Sequence, residues 1–182
     1  MSEYSQLIRL SADYSIKPFD CGNADLNEFL FQDAVEHAKE LLAMTYLLEG
    51  KNCTKAYFSV LNDSVRRLDA DSIKSFKRKL LHDIPHKKRS YHSYPAVKIG
   101  RFAVHKDFHN KNFGRKMLDH IKGFFLDNNK AGCRFITIDS YCDSVGFYLK
   151  NGFDFLSEKD KTEDTRLMYF DMKAIIPDKS AL

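Results

Sequence analysis

Apolar residues recur at helical spacing in three stretches of the chain. After Leu26, apolar side chains return every three or four positions as far as Leu42. A second stripe runs through Ile73, Phe76, Leu80 and Ile84 until Pro85, and a third occupies residues 117–125. Each pattern predicts an amphipathic helix with one face on the core, and proline ends the second.

Between these helices, short apolar or alternating runs predict β-strands. They lie at residues 7–10, 44–48, 56–65, 96–104, 133–139, 153–156 and 166–172. The second and third runs flank Gly50 and predict an antiparallel hairpin. The strand near residue 102, the helix over 115–128 and the strand near residue 135 form a βαβ unit. These two strands should therefore be parallel in a mixed α/β sheet.

The stretch 96–118 combines a strand, a polar loop and the start of a helix. Val97 and Ile99 share one parity while Phe102 and Val104 share the other, so the alternation slips near Gly100. The slip indicates either a β-bulge or a strand that is buried on both faces. Amide groups at the following helix start, with nearby cations, predict a seat for phosphate groups and hence a polyphosphate ligand.

This stretch resembles the GNAT superfamily of acetyl-CoA-dependent N-acetyltransferases. The family signature is an apolar triplet, then Q/R-x-x-G-x-G/A, then a helix; here Phe102-Ala103-Val104 precedes His109-Asn110-Lys111-Asn112-Phe113-Gly114. His109 replaces the usual Gln or Arg, and Asn112 replaces the first glycine. Asparagine tolerates positive φ better than other non-glycine residues, so the loop is expected to keep its shape.

A second segment strengthens the resemblance. Phe147-Tyr148-Leu149-Lys150-Asn151-Gly152-Phe153 is similar to the family's FYEKxGF signature, and Gly152 is expected to close its helix. The resemblance covers residues 3–173 and implies a mixed, twisted central sheet with a parallel pair of splayed strands, flanked by helices. It implies one domain over residues 1–182, with a basic helical insertion at about 68–94.

The resemblance also implies site residues. Main-chain groups of Phe102, Ala103 and Val104 would hold the acetyl group and pantetheine, and the following loop would hold the pyrophosphate. Tyr148 would be the general acid for the thiolate, although a ring buried as packing is the alternative. No base stands out: Asp139 is the candidate, with His105 and His109 as alternatives. The cofactor-binding loop comprises His109, Asn110, Lys111, Asn112, Phe113, Gly114, Arg115 and Lys116.

Composition bounds the class of protein. The chain has 182 residues, and 43% of them are apolar, enough for one substantial core. No run approaches the ~20 apolar residues of a membrane span, and the N-terminus lacks a signal-peptide layout. A cytoplasmic protein is expected. The four cysteines are scattered without metal-ligand spacing, so they are expected to be reduced, and no metal is predicted.

Positive charge is concentrated in residues 66–92. Nine Lys or Arg against three Asp give +6 there, whereas the whole chain carries +4. One interpretation is a contact surface for a polyanion such as RNA. The alternatives are a solvated helix face beside a loop, or electrostatic steering of acetyl-CoA.

Three functions remain open. The first is direct transfer of acetyl from acetyl-CoA to a primary amine of a small molecule or protein, in a ternary complex. The second is a GNAT toxin that acetylates the amine of charged tRNA, since Phe19, Cys21, Gly22 and Leu26 resemble the opening of the toxin-antitoxin branch. The third is a non-catalytic acyl-CoA-binding module. An antitoxin and a second copy of the chain are the candidate protein partners, and no membrane association is expected.

Overall fold

The computed structural model describes residues 6–80, 91–129 and 132–176, and its helices follow the predicted apolar stripes. They are α1 (Ala24–Glu28), α2 (Ala34–Lys39), α3 (Ile73–Leu80), α4 (Phe113–Leu126) and α5 (Val145–Lys150). A π-helical turn, Phe29–Asp33, joins α1 to α2, which the spacing of apolar residues does not predict. Ile84, expected in the last turn of α3, and Pro85, expected to end that helix, lie outside the described residues.

The strands form a seven-stranded mixed sheet in the order β1-β2-β3-β4-β5-β7-β6. Strands β4 and β5 are parallel, while the pairs β1-β2, β2-β3, β5-β7 and β6-β7 are antiparallel. This confirms the predicted hairpin and the predicted βαβ unit. The strands are β1 (Gln6–Arg9), β2 (Met44–Glu49), β3 (Thr54–Arg66), β4 (Ser93–Val104), β5 (Phe135–Tyr141), β6 (Asp154–Phe155) and β7 (Thr165–Asp171).

The chain forms two compact units, and the first comprises the described residues up to Leu61 together with Ile99–Ile121. Its core gathers apolar side chains from α1, the π-turn, β2 and the end of β4. Phe29 and Leu30 of the π-turn are buried there. Tyr57 is fully buried, and its hydroxyl donates to the carbonyl of Leu26 at 2.7 Å.

The second unit comprises Asn62–Lys98 and the described residues from Lys122 onward. Its core collects Val65, Phe76, Leu80, Tyr94, Ala96, Phe135, Leu156 and Tyr169. Phe76 and Leu80 point inward from α3, whereas Lys77 and Arg78 between them are exposed. Helix α3 is therefore anchored to its unit by apolar side chains.

The organisation into one domain with an insertion at about 68–94 stays a prediction. Across the described ranges, no helix is both long and apolar enough to cross a membrane.

Candidate active site

The loop between β4 and α4 adopts the backbone conformation that the motif predicts. Asn110 and Asn112 have φ values of 57° and 54°, in the left-handed region. Helix α4 begins at Phe113, and the amide of Lys116 donates to the carbonyl of Asn112 at 3.2 Å. Asn112 therefore takes the conformation expected at the position of the family's first glycine. The opening amides of α4 have no carbonyl of a preceding turn and can bind an anion.

Side chains tie the loop to its own backbone. Nε2 of His109 lies 2.7 Å from the carbonyl oxygen of Val104, so this nitrogen carries the proton and donates it. The ammonium of Lys111 donates to the carbonyl of Asp107 at 2.8 Å. Arg115 and Lys116 are exposed at the start of α4. The loop thus combines internal bracing with two cations at the helix N-terminus.

At the end of β4, two of the three side chains are half-buried and the third is buried, which leaves mainly main-chain groups for contact with a ligand. Ala103 is only 4% exposed and packs in the core of the first unit, while Phe102 and Val104 are half-buried. Arg101 is exposed, with its guanidinium 5.1 Å from the centroid of the Phe29 ring. A ligand beside this strand would be recognised through main-chain groups. The β-bulge at this point stays a prediction.

An ion pair that the sequence did not single out braces the start of the loop. Lys106 follows β4, and its ammonium lies 2.7 Å from Oδ2 of Asp20. The Lys106 amide donates to the Asp20 carbonyl at 2.8 Å. Hydrogen bonds from Lys106, Gly22 and Asn27 hold the pKa of the Asp20 carboxyl well below its usual range. The only sequence signal was the turn-forming run around Gly22, whose φ is +82°.

Tyr148 lies on α5 in the second unit. It is 6% exposed, and its ring contacts those of Phe147 and Phe153 at centroid distances of 5.1 and 5.4 Å. Burial raises the pKa of Tyr148 above the usual phenol value. None of the described residues makes a hydrogen bond to its hydroxyl. The side chain is therefore a proton donor throughout the neutral range.

The end of α5 is built as predicted. Gly152 has a φ of +82° and its amide donates to the carbonyl of Leu149 at 3.1 Å. Lys122 donates to the carbonyl of Asn151 at 2.6 Å, and its ammonium lies 4.2 Å from the centroid of the Phe170 ring. These contacts fix the short helix that carries Tyr148.

The three candidate bases are all engaged in the structure. The Asp139 carboxylate is in direct contact with the ammonium of Lys98. Nδ1 of His105 accepts from the amide of Asp107 at 3.2 Å, and His109 donates to Val104. The role of Asp139 as base, like the other assigned roles, stays a prediction.

All four cysteines are free thiols, as expected. Cys21 and Cys133 are buried and Cys53 is partly buried, whereas Cys142 is exposed just before α5.

Comparison with protein families identifies the class. Residues 88–176 match the family described as acetyltransferase (GNAT) domain. The match includes β4, the loop, α4, β5 and the helix that carries Tyr148. This match identifies a GNAT acetyltransferase domain in the part of the chain from residue 88 to residue 176. The resemblance drawn from the two motifs is confirmed.

Several solved structures of similar fold are described as toxins, one of them bound to part of its antitoxin. A tyrosine-to-phenylalanine mutant of KacT has a TM-score of 0.75 at 22% identity, over 95% of this chain and 98% of that one. AtaT complexed with acetyl-methionyl-tRNAfMet has a TM-score of 0.74 at 22% identity, over 94% and 96%. AtaTR bound with acetyl-CoA has a TM-score of 0.72 at 20% identity, over 96% and 97%. A search of curated proteins found no significant match.

Proposed function

We propose that this protein transfers the acetyl group of acetyl-CoA directly to a primary amine in a ternary complex. The observation that carries the proposal is the loop before α4. Its two left-handed asparagines reproduce the glycine-dependent turn of the GNAT motif, ahead of a helix start that suits a pyrophosphate. The solved structures of AtaTR and AtaT include complexes with acetyl-CoA.

Different residues bind acetyl-CoA and supply a proton in the proposed reaction. The amides of residues 109–116 bind the pyrophosphate, and the backbone of Phe102–Val104 binds the pantetheine and the acetyl carbonyl. The neutral amine attacks that carbonyl, a C–N bond forms and the C–S bond breaks. Tyr148 gives its proton to the departing thiolate, and the amine loses one proton to a base or to water. The raised pKa of Tyr148 keeps the phenol protonated for this step.

Substitution of Tyr148 by phenylalanine tests the mechanism. Because only the hydroxyl is lost, we expect transfer to slow by at least about tenfold while acetyl-CoA still binds. Transfer is measured by intact mass of the acetylated amine, and acetyl-CoA binding by calorimetry. Tyr141→Phe is the matched control, since Tyr141 is 65% exposed and loses the same group. An unchanged rate in the Tyr148 variant would remove this residue from the mechanism.

Within this reaction class, the amine of charged tRNA is the acceptor that a specific observation favours. Helix α3 presents Lys74, Lys77 and Arg78 to solvent, while its fourth cation, Lys79, is anchored by donating to the carbonyl of Phe155 at 2.5 Å. Exposed cations on one firmly packed helix suit a phosphate backbone. A structure of similar fold, AtaT, is complexed with acetyl-methionyl-tRNAfMet.

The partners follow from this proposal. A toxin of this kind would be held by an antitoxin, as AtaT is in its structure with the C-terminus of AtaR. A cytoplasmic location fits acetyl-CoA and charged tRNA as substrates. A non-catalytic acyl-CoA-binding module would instead bind acetyl-CoA and acetylate no amine, which the mass measurement distinguishes.

A further inference from the structure

A charged cleft of about 240 Å³ opens on the second unit, beside the start of the basic segment. Its polar lining comes from β3, β4 and β5, and from the turn that leads to α3. The strands that line the cleft also pack against α3. Their side chains are apolar where they contact α3 and charged or polar where they line the cleft. Its lining includes the threonine Thr137 and five charged side chains: Asp63, Arg66, Asp69, Lys98 and Asp139.

Two of the three carboxylates in the cleft already have a cation. Arg66 holds Asp69 with two hydrogen bonds, from Nε at 2.9 Å and from Nη2 at 2.8 Å. Lys98 contacts Asp139. Three carboxylates against two cations leave a net charge of −1 on these walls.

The remaining carboxylate belongs to Asp63. Its Oδ2 accepts from Oγ1 of Thr137 at 2.5 Å, and Thr137 is only 1% exposed, so the carboxylate is fixed by a buried hydroxyl. Among the described residues, no cation forms an ion pair with Asp63. The charge of Asp63 does act on Arg66, but less than that of Asp69 does. An ionised carboxylate accepts about four hydrogen bonds, so Asp63 has capacity that the described side chains leave unused.

We propose that Asp63 binds the acceptor as its ammonium form, before the proton loss that yields the neutral nucleophile, an inference that rests on the function proposed above. A primary ammonium supplies three donors and the countercharge that the cleft lacks. Thr137 acts as the positioning residue, because its hydroxyl directs one oxygen of Asp63 and leaves the other to the ligand.

This assignment differs from the one suggested by position along the chain. Asp139 ends the apolar run that predicts a strand over 133–139 and is the candidate base on that ground, but Lys98 already contacts its carboxylate. Asp63 lies within the run over 56–65 that predicts a strand of the hairpin, so its position along the chain indicates no chemical role. Its signal in the sequence is a charged residue inside that strand, next to Asn62.

Binding of two primary ammonium probes, methionine amide and spermidine, tests the inference separately from transfer. NMR titration of the wild-type protein should show binding of at least one probe, and N-acetylmethionine amide, which has no ammonium, should not bind. Asp63→Asn should lower the affinity for the bound probe at least about tenfold, since the substitution removes the charge and keeps the shape. Asp164→Asn, the same change at an exposed position outside the cleft, should have no effect.

Two further variants test the roles of the Thr137 hydroxyl and the Asp63 charge, and a folding control accompanies them. Thr137→Val should lower the affinity for the probe less than Asp63→Asn does. Asp63→Glu should bind the probe more tightly than Asp63→Asn, because the charge is retained. Thermal unfolding confirms that each variant is folded. Failure of the wild-type protein to bind either probe, or equal binding by folded Asp63→Asn, overturns the inference.

Transfer assayed in parallel tests the proposed function itself. If wild-type protein binds a probe through Asp63 but acetylates no amine, the proposed function fails while the cation site stands. If transfer occurs and Asp63→Asn leaves the KM for the amine unchanged, the site fails while the function stands. The expected result is a KM raised at least about tenfold for the amine, with unchanged affinity for acetyl-CoA.

Discussion

Asn112 shows how one residue can preserve a loop whose usual glycine is missing. Its φ of 54° lies in a region that costs a typical L-residue roughly 1–2 kcal/mol, and asparagine is among the few that enter it routinely. The departure from the family pattern is therefore a change of residue without a change of backbone shape. Asn110, two residues earlier, has a φ of 57° and also adopts the left-handed conformation.

Substitutions at Asn112 should separate shape from side chain. Asn112→Gly should bind acetyl-CoA as well as wild type, because glycine enters the same conformation freely. Asn112→Val should weaken binding about tenfold, which is the equivalent of about 1.4 kcal/mol, since a β-branched residue is strained there. Calorimetric titration with acetyl-CoA measures both. Equal affinity in the valine variant would show that the loop does not hold the ligand.

At the scale of the element, α3 joins a charged outer face to an apolar inner one. Phe76 and Leu80 are 1% and 0% exposed, and the Phe76 ring stacks on that of Tyr94 with a centroid distance of 5.9 Å. The helix thus forms part of the core of its unit.

Truncation of the inner face should therefore destabilise the protein. Phe76→Ala should lower the free energy of unfolding by about 3–5 kcal/mol, the usual cost of deleting a buried aromatic side chain. Ile73→Ala is the control on the same helix, because Ile73 is 50% exposed and should cost much less. Urea denaturation followed by circular dichroism gives both values. Similar losses for the two variants would argue against the anchoring of α3.

The elements could be predicted well because their apolar periodicity is strong. The hairpin of β2 and β3, the parallel pair β4-β5 and the helix closed by Gly152 all follow from local patterns and chain connectivity. The charged cleft could not, because Asp63, Lys98 and Thr137 lie on different strands and meet only through sheet register. The bond between Asp20 and Lys106 was missed for the same reason: 86 positions separate its partners.

At the scale of the whole molecule, the charge distribution decides which acceptors are attracted. The chain carries +4, and residues 66–92 carry +6, so the remainder is slightly acidic. A polyanion is therefore drawn to one segment. The cleft beside that segment has the opposite local balance, which suits the cationic end of a ligand whose other end is anionic. Charged tRNA has this combination of an amine and a phosphate backbone.

Neutralisation of α3 should weaken tRNA binding in a salt-dependent way. The triple change of Lys74, Lys77 and Arg78 to alanine should make the slope of log K against log salt shallower by about 2, given ~0.7–0.9 per phosphate contact. The control removes three exposed lysines elsewhere: Lys39, Lys51 and Lys161. Binding is measured by filter retention of charged tRNA over a salt series. Matching slopes for the two triple variants would exclude α3 as the docking surface.

The exposed thiol of Cys142 bears on how catalysis is followed in practice. Reagents such as Ellman's disulfide, used to detect liberated coenzyme A, also react with accessible protein thiols. Cys142 is the exposed cysteine and lies six positions before Tyr148, so it should give a colour change of one equivalent before any turnover. That burst could pass for a single catalytic cycle. Replacement of Cys142 by serine would give a blank in which only coenzyme release is seen.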